Sequence, residues 1–183
     1  ASGLAGGSGD AAAALIALNE LWELGLTRER LAELGLRLGS DVPYCLTGGT
    51  MGARERGNTL LPLAPMPETW FVMLHPELQV STASVYNHPN LKKSGQPAAE
   101  WSTAFDVAVT AISSGDVAGV LYNGMESGVF EMHPVLAELK ARLVDAGSLG
   151  ALMSGSGPTI YGVCASQQDA EHVSRQFPDI RRS

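Results

Sequence analysis

From Asp10 onward, apolar residues recur at three- and four-residue spacing. Leu15, Leu18, Leu21 and Trp22 lay one buried face along a helix that ends near Gly25. A second helix is predicted behind Thr27, a candidate N-cap, with Leu31, Leu34 and Leu38 as its inward stripe and Gly39 as its stop. Over Gly39-Ser40-Asp41-Val42-Pro43-Tyr44-Cys45-Leu46 the helical period is lost, and strand or loop is expected. Gly48-Gly49 reads as a turn, Met51 to Arg56 as a short strand, and Gly57-Asn58 as a further turn.

Pro62, Pro65 and Pro67 stiffen the stretch from Leu61 to Glu68 and exclude helix, which places a boundary there between domains 1–66 and 67–183. The continuous apolar run Trp70-Phe71-Val72-Met73-Leu74 predicts a buried strand. Ser81 or Thr82 can cap a short helix through Tyr86, and residues 88–97 read as loop. Trp101, Phe105, Val109 and Ile112 mark an amphipathic helix ending at Gly115, followed by a short helix over 116–122. Pro134 suits a first helical turn, and Val135, Leu136, Leu139, Leu143 and Val144 carry that helix to Gly147. Strand (149–153), glycine turn (154–158), strand (159–164) and helix (167–177) complete a predicted α+β layer of sheet covered by helices.

The glycines add chemistry to this pattern. Gly3-Leu4-Ala5-Gly6-Gly7-Ser8-Gly9-Asp10 leads into the alanine run 11–14, a loop delivering a helix N-terminus, and such an end suits phosphate physically. The alternative is a glycine-rich turn into a core helix. Gly7-Ser8-Gly9-Asp10-Ala11-Ala12 fits the dinucleotide pattern G-x-G-x-x-A but has no strand before it, and no lysine follows to make a P-loop. The chain is therefore expected to begin inside a motif. Asp41, between a helix stop and a proline, is either a turn residue bonding its own backbone or an aimed general base. Ser154-Gly155-Ser156-Gly157-Pro158 is either a hairpin turn or a second backbone cradle.

Composition narrows the classes. A net charge of −7 and a pI near 5.0 argue against a general nucleic-acid or anionic-membrane surface. Cys45 and Cys164 form no CxxC pair, and His75, His88, His133 and His172 show no ligand spacing, so no disulfide framework or protein-held metal is expected and the histidines read as surface or loop residues. Met125, Met132, Met153 and Trp101 read as core. No apolar run reaches the roughly 20 residues that span a bilayer. The expected compartment is cytoplasmic, or plastid were a transit segment to precede the chain.

Taken in order, these stretches resemble the GHMP kinase family. The matching residues are Gly3 to Ala12, Leu38-Gly39-Ser40-Asp41-Val42-Pro43-Tyr44, Gly48-Gly49-Thr50, His75-Pro76 with Val80-Ser81-Thr82 and Tyr86, Asn123-Gly124-Met125-Glu126, and Met153 to Thr159. The resemblance implies an α+β, two-domain architecture: a remnant of an N-terminal ribosomal-protein-S5-like domain in 1–66 and a C-terminal ferredoxin-like α+β domain in 67–183. It implies ATP-dependent phosphorylation of a small-molecule alcohol, with Mg²⁺ neutralising the developing charge. The Asp41 and Thr82 segments point to cytidine diphosphate methylerythritol, phosphorylated at its 2-hydroxyl in non-mevalonate isoprenoid precursor synthesis, rather than to homoserine or mevalonate.

By the same resemblance Gly3, Leu4, Ala5, Gly6, Gly7, Ser8, Gly9 and Asp10 form the ATP loop, with Asp10 capping or facing away from the phosphates. Asp41 accepts the substrate proton, Thr82 lines the substrate side, and Gly155, Ser156 and Gly157 support the loop. The family carries a catalytic lysine on a strand-rich segment upstream of the loop, for which this chain has no counterpart, and a terminal strand after Phe177 is also expected to be lacking. A fragment with little or no kinase activity by itself is the resulting expectation. A non-catalytic structural or interaction domain, in which only 68–183 fold, is the alternative from another class.

Overall fold

The computed structural model describes residues 3–54, 57, 59–89 and 98–183, side chains of 98–102 excepted. The predicted turn residue Asn58, most of the predicted loop 88–97 and the Trp101 side chain lie outside these. The chain divides into two units. One is Ala5–Pro65; the other is Met66–Ser183 together with Gly3 and Leu4 from the start of the chain.

The Ala5–Pro65 unit holds helices α1 (Gly6–Leu21), α2 (Arg28–Leu36) and α3 (Val42–Thr47) and the antiparallel hairpin β1 (Met51–Arg54) and β2 (Thr59–Pro62). Thr27 caps α2 as predicted, its Oγ1 accepting from the Arg30 N–H. α1 begins at Gly6, earlier than its apolar period indicates, so Gly6, Gly7 and Gly9 lie within its opening turns. Its N-cap is Ala5 in the left-handed region (φ 49), and Asp10 lies past the first turn and does not cap. The stretch read as strand or loop is helix α3. Pro43 enters where no intrahelical N–H is required, and Gly48 (φ 69) ends it, so a six-residue helix fits where no long period could show. β2 runs through Pro62 because Pro62 is its last residue, where a missing donor costs little.

The core of this unit is small: Ala12, Leu31, Val42 and Leu46, with Ala11, Leu15, Leu26, Ala32 and Cys45 packed around them. Gly35 admits it, because a Cβ there would lie 2.8 Å from Val42 Cγ1. The predicted inward stripes are largely outside it: Leu18, Leu21, Trp22 and Leu38 are exposed.

The second unit has a β–α–β–β–α–β order. β3 (Trp70–His75) leads through helices α4 (Thr82–Tyr86), α5 (Ala98–Ser114), a 3₁₀ turn (Ala118–Val120), α6 (Glu126–Met132) and α7 (Pro134–Asp145) to β4 (Gly150–Met153). β5 (Ile160–Cys164), α8 (Gln167–Arg175) and β6 (Arg181–Arg182) complete it. The strands stand in the order β4-β5-β3-β6, all antiparallel, which is the ferredoxin-like arrangement. β6 corrects the expectation that no strand follows Phe177: Leu74 pairs with Arg182 and His75 with Arg181. Two arginines carry no apolar period to announce it. Helix α6 was likewise not predicted, and the predicted helix over 116–122 shrinks to one 3₁₀ turn.

Strand pleating sends Val72 and Leu74 of β3, Ala151 and Met153 of β4, and Ile160 and Cys164 of β5 into one core with Leu136, Leu139 and Leu143 of α7, Val173 of α8 and Phe177 just after it. Val135 and Val144, assigned to the α7 stripe by spacing, are exposed. Met153 is fully buried and Met125 and Met132 pack against the core. On the opposite sheet face the Phe71 and Tyr161 rings meet edge to face, centroids 5.7 Å apart.

Candidate active site

In the Ala5–Pro65 unit the glycine run and the Asp41 segment meet. Gly9 N–H donates to the Ala5 carbonyl at 2.9 Å, so the helical ladder starts within the glycines. A Cβ on Gly39 would lie 3.9 Å from Ser8 Oγ, which places the half-buried Ser8 beside the turn carrying Asp41. From the other side, a Cβ on Gly57 in the β1–β2 turn would lie 2.9 Å from the Ser40 carbonyl. Asp41 stands at the N-terminus of α3 with no side-chain capping bond, and it is exposed. Of the two readings left open for it, a turn carboxylate closing onto the helix N–H groups is not what the geometry shows.

Gly6, Gly7 and Gly9 pose a question of their own. None has a positive φ, and a Cβ at any of them would meet nothing within 4 Å among the described residues. Each weakens the helix by about 1 kcal/mol relative to alanine. Neither backbone conformation nor packing among the described residues requires them; Gly6 and Gly7 leave bare N–H groups at the helix end, and all three leave room for a ligand to approach.

In the other unit Gly3 (φ 72) lies on the Ser154–Gly157 turn. Ser154 Oγ donates to the Gly3 carbonyl at 2.7 Å, and a Cβ on Gly3 would collide with the Ser154 carbonyl and stand 3.0 Å from that of Gly157. Gly3 is thus required sterically, unlike the three glycines of α1. The turn has Gly155 (φ 55) and Gly157 (φ 81) in the left-handed region, closed by a Gly157 N–H bond to the Ser154 carbonyl at 2.9 Å. Thr82 Oγ1 and Ser156 Oγ share a hydrogen bond of 2.9 Å, so Thr82 at the start of α4 reaches the same turn.

Two features near this turn escape sequence reasoning. His75 is half-buried at the end of β3, its Nδ1 3.1 Å from Thr159 Oγ1 and its Nε2 3.0 Å from Ser183 Oγ, where a surface or loop histidine is expected. Only the antiparallel register, which no spacing reveals, brings those partners to it. The second is the set of bonds from Asn123 and Glu126 to the end of β4. The Asn-Gly-Met-Glu string was visible, but its partner strand was not. Glu126 also bears on Tyr161, whose phenol is pushed above its usual pKa first by burial and then by that carboxylate.

Comparison with known proteins places these residues in context. Residues 1–49 match the model of the GHMP kinases N terminal domain, and 109–180 that of the GHMP kinases C terminal domain. The chain is 42% identical over 178 residues to the 4-diphosphocytidyl-2-C-methyl-D-erythritol kinase of Enterococcus faecalis, covering 94% of this chain and 60% of that protein. It is 44% identical over 177 residues to the enzyme of the same name from Pelotomaculum thermopropionicum, covering 97% and 61%. The chain thus spans about 60% of the length of these relatives. Among solved structures, a 4-(cytidine 5'-diphospho)-2C-methyl-D-erythritol kinase superposes with a TM-score of 0.78 at 31% identity, over 100% of this chain and 65% of that one. A homoserine kinase from Cytophaga hutchinsonii shares the fold, with a TM-score of 0.76 at 23% identity over 100% and 64%.

Proposed function

The chain belongs to the GHMP kinase family, and from that premise we propose that it carries the phosphate loop and base of a 4-diphosphocytidyl-2-C-methyl-D-erythritol kinase. That activity transfers the γ-phosphoryl group of ATP to the 2-hydroxyl of 4-diphosphocytidyl-2-C-methyl-D-erythritol. The observation that carries the reading is the set of glycines at the start of α1 that the fold does not require. Phosphate oxygens approaching bare N–H groups at the positive end of a helix account for them.

In this reading Gly3 to Asp10 cradle the ATP phosphates, and Ser8 Oγ adds a hydroxyl contact. Asp41, exposed and uncapped two residues beyond Gly39, which faces Ser8, accepts the proton of the attacking hydroxyl. Asp10 lies past the first turn of α1 and leaves the nearest N–H groups to the phosphates. Thr82 lines the acceptor side, and Gly155, Ser156 and Gly157 support the loop through Gly3. Because phosphoryl transfer needs mainly positioning and charge stabilisation, these parts suit the chemistry in kind.

Magnesium fits the donor set. A Mg²⁺ ion carried on phosphate oxygens takes only one or two protein oxygens, and the Ser8 hydroxyl is one. No group of three His, Cys, Asp or Glu side chains is gathered among the described residues. When bound, the ion neutralises charge developing on the transferred group.

The test is ADP release by the full chain with three alcohols. Weak turnover at most is expected, and with the cytidine diphosphate alcohol only, homoserine and mevalonate being inert. Turnover with homoserine or mevalonate alone overturns the acceptor assignment.

A further inference from the structure

We infer that Asn123, held in place with Glu126, is the positioning residue that sets the Ser154–Gly157 turn and through it the first residue of the phosphate loop. The inference rests on the reading of Gly3 to Asp10 as the ATP cradle, and it adds to that reading two residues to which no role has been given.

β4 is the outer strand of its sheet, so the polar groups of Met153 that point away from β5 need partners from elsewhere. The Asn123–Glu126 segment supplies both. Glu126 Oε1 accepts from the Met153 N–H at 2.9 Å, and Asn123 Nδ2 donates to the Met153 carbonyl at 2.8 Å. The second hydrogen of the same Nδ2 reaches the Gly155 carbonyl at 2.7 Å, two residues into the turn. Asn123 Oδ1 accepts from the Met125 N–H at 2.9 Å, which fixes the amide plane. Flipping that amide would set its oxygen against two carbonyl oxygens, so the network admits one orientation. Glu126 is in turn held by Lys140 Nζ of α7, 2.6 Å from Oε2.

The chain of contacts then leaves the strand for the loop. Met153 and Gly155 bracket Ser154, whose Oγ donates to the Gly3 carbonyl. A shift of the turn by a few tenths of an ångström moves Gly3 as well, because Gly3 already lies against the carbonyls of Ser154 and Gly157. Asn123 itself touches neither ATP nor acceptor in this scheme. Its effect passes through Gly155 and Ser154.

Asparagine is the required residue type. The site needs two donors on one atom and an acceptor on the other, at this length from the backbone. Aspartate has the same shape but opposes two carbonyls with a carboxylate oxygen. Serine keeps one donor.

The experiment compares Asn123→Asp and Asn123→Ser with the unsubstituted full chain, reading Kd for ATP and for the acceptor by calorimetric titration, and amide exchange at Gly157; neither readout needs turnover. Loss of two hydrogen bonds is expected to raise Kd for ATP about tenfold in Asn123→Asp, with the acceptor Kd within about twofold, and by a smaller factor in Asn123→Ser. Exchange at Gly157 is expected to quicken in both variants. A merely structural Asn123 would lower thermal stability without splitting the two Kd values. If Asn123→Asp does not fold, Asn123→Ser decides: an unchanged Kd for ATP with unchanged Gly157 exchange overturns the inference. Faster Gly157 exchange in a protein that neither binds nor hydrolyses ATP leaves the turn positioned as described and overturns the kinase reading instead.

Discussion

The two units spend their apolar residues differently. In Met66–Ser183 the apolar positions of three strands and four helices converge, and Leu74, Leu136, Leu143, Met153 and Ile160 are fully buried. In Ala5–Pro65 the three helices enclose a small cluster, Ala12, Leu31, Val42 and Leu46 with Pro43 also buried, while Leu21 is 74% and Trp22 62% exposed on α1. The same amphipathic signal is thus used up in one unit and left standing in the other. Burial of side chains stabilises only where a second surface closes over them, so the sheet unit holds the folding energy. The glycines of α1 and Asp41 sit where stability is least at stake.

That contrast makes separable predictions. The largest concerns turnover: Asp41→Asn keeps the shape but removes the proposed base. Whatever turnover the chain supports should fall about a hundredfold or more, with ATP affinity and the thermal midpoint little changed, as kinetics, calorimetric titration and melting curves will read. Unchanged turnover would remove Asp41 from the chemistry. In the sheet unit the expected effect is on stability. Leu136→Ala should lower the unfolding free energy by about 2–5 kcal/mol in urea titrations, whereas Trp22→Ala should stay within about 0.5 kcal/mol. Equal losses would mean that α1 is covered after all.

Gly7→Ala sharpens the contrast within one residue. Its Cβ meets open space at an ordinary helical φ, so the protein should gain about 0.4–1 kcal/mol of stability. ATP should nevertheless bind several-fold more weakly, because the methyl occupies the approach to the N–H groups. Calorimetric titration with ATP beside a melting curve separates the two effects, and a destabilised variant with normal ATP affinity would refute the assignment.

The smallest effect is on alkaline pH dependence and belongs to the sheet unit. Burial raises the pKa of Cys164 from its ordinary 9.0, the Ser148 hydroxyl opposing and Asp169 adding to the rise, and burial likewise raises Tyr161 from 10.0. Above these ordinary values the unfolded chain has lost protons that the folded chain keeps, so stability falls as pH rises from about 9 through the folded values. Urea midpoints between pH 8 and 11 should decline, less steeply in Cys164→Ala. A rising midpoint would contradict the burial of both groups.

Much of the sheet unit was legible in the chain because its elements are self-announcing. Trp70 to Leu74 is continuously apolar, Pro134 opens α7 and Gly147 closes it, and Gly155 and Gly157 mark a turn between two apolar runs. Helix α3 was not legible, since six residues with a proline carry no period. The exposed stripe of α1 misled for the opposite reason: its period is strong, yet period states only which residues share a face and not what covers it. The bonds from Asn123 and Glu126 to Met153, 27 to 30 residues along the chain, arise from the edge position of β4.

The sequence by itself determined local matters: that Thr27 caps α2, where glycine permits a turn, and which string of glycines and serines could present bare N–H groups to an anion. Those depend on backbone conformation and on side chains within a few residues. Only the tertiary structure decided that Gly3 is required by the Ser154–Gly157 turn while Gly6, Gly7 and Gly9 face no close neighbour among the described residues. The distinction depends on which atoms stand opposite each glycine, and residues more than 150 positions apart along the chain come face to face only once the sheet has formed.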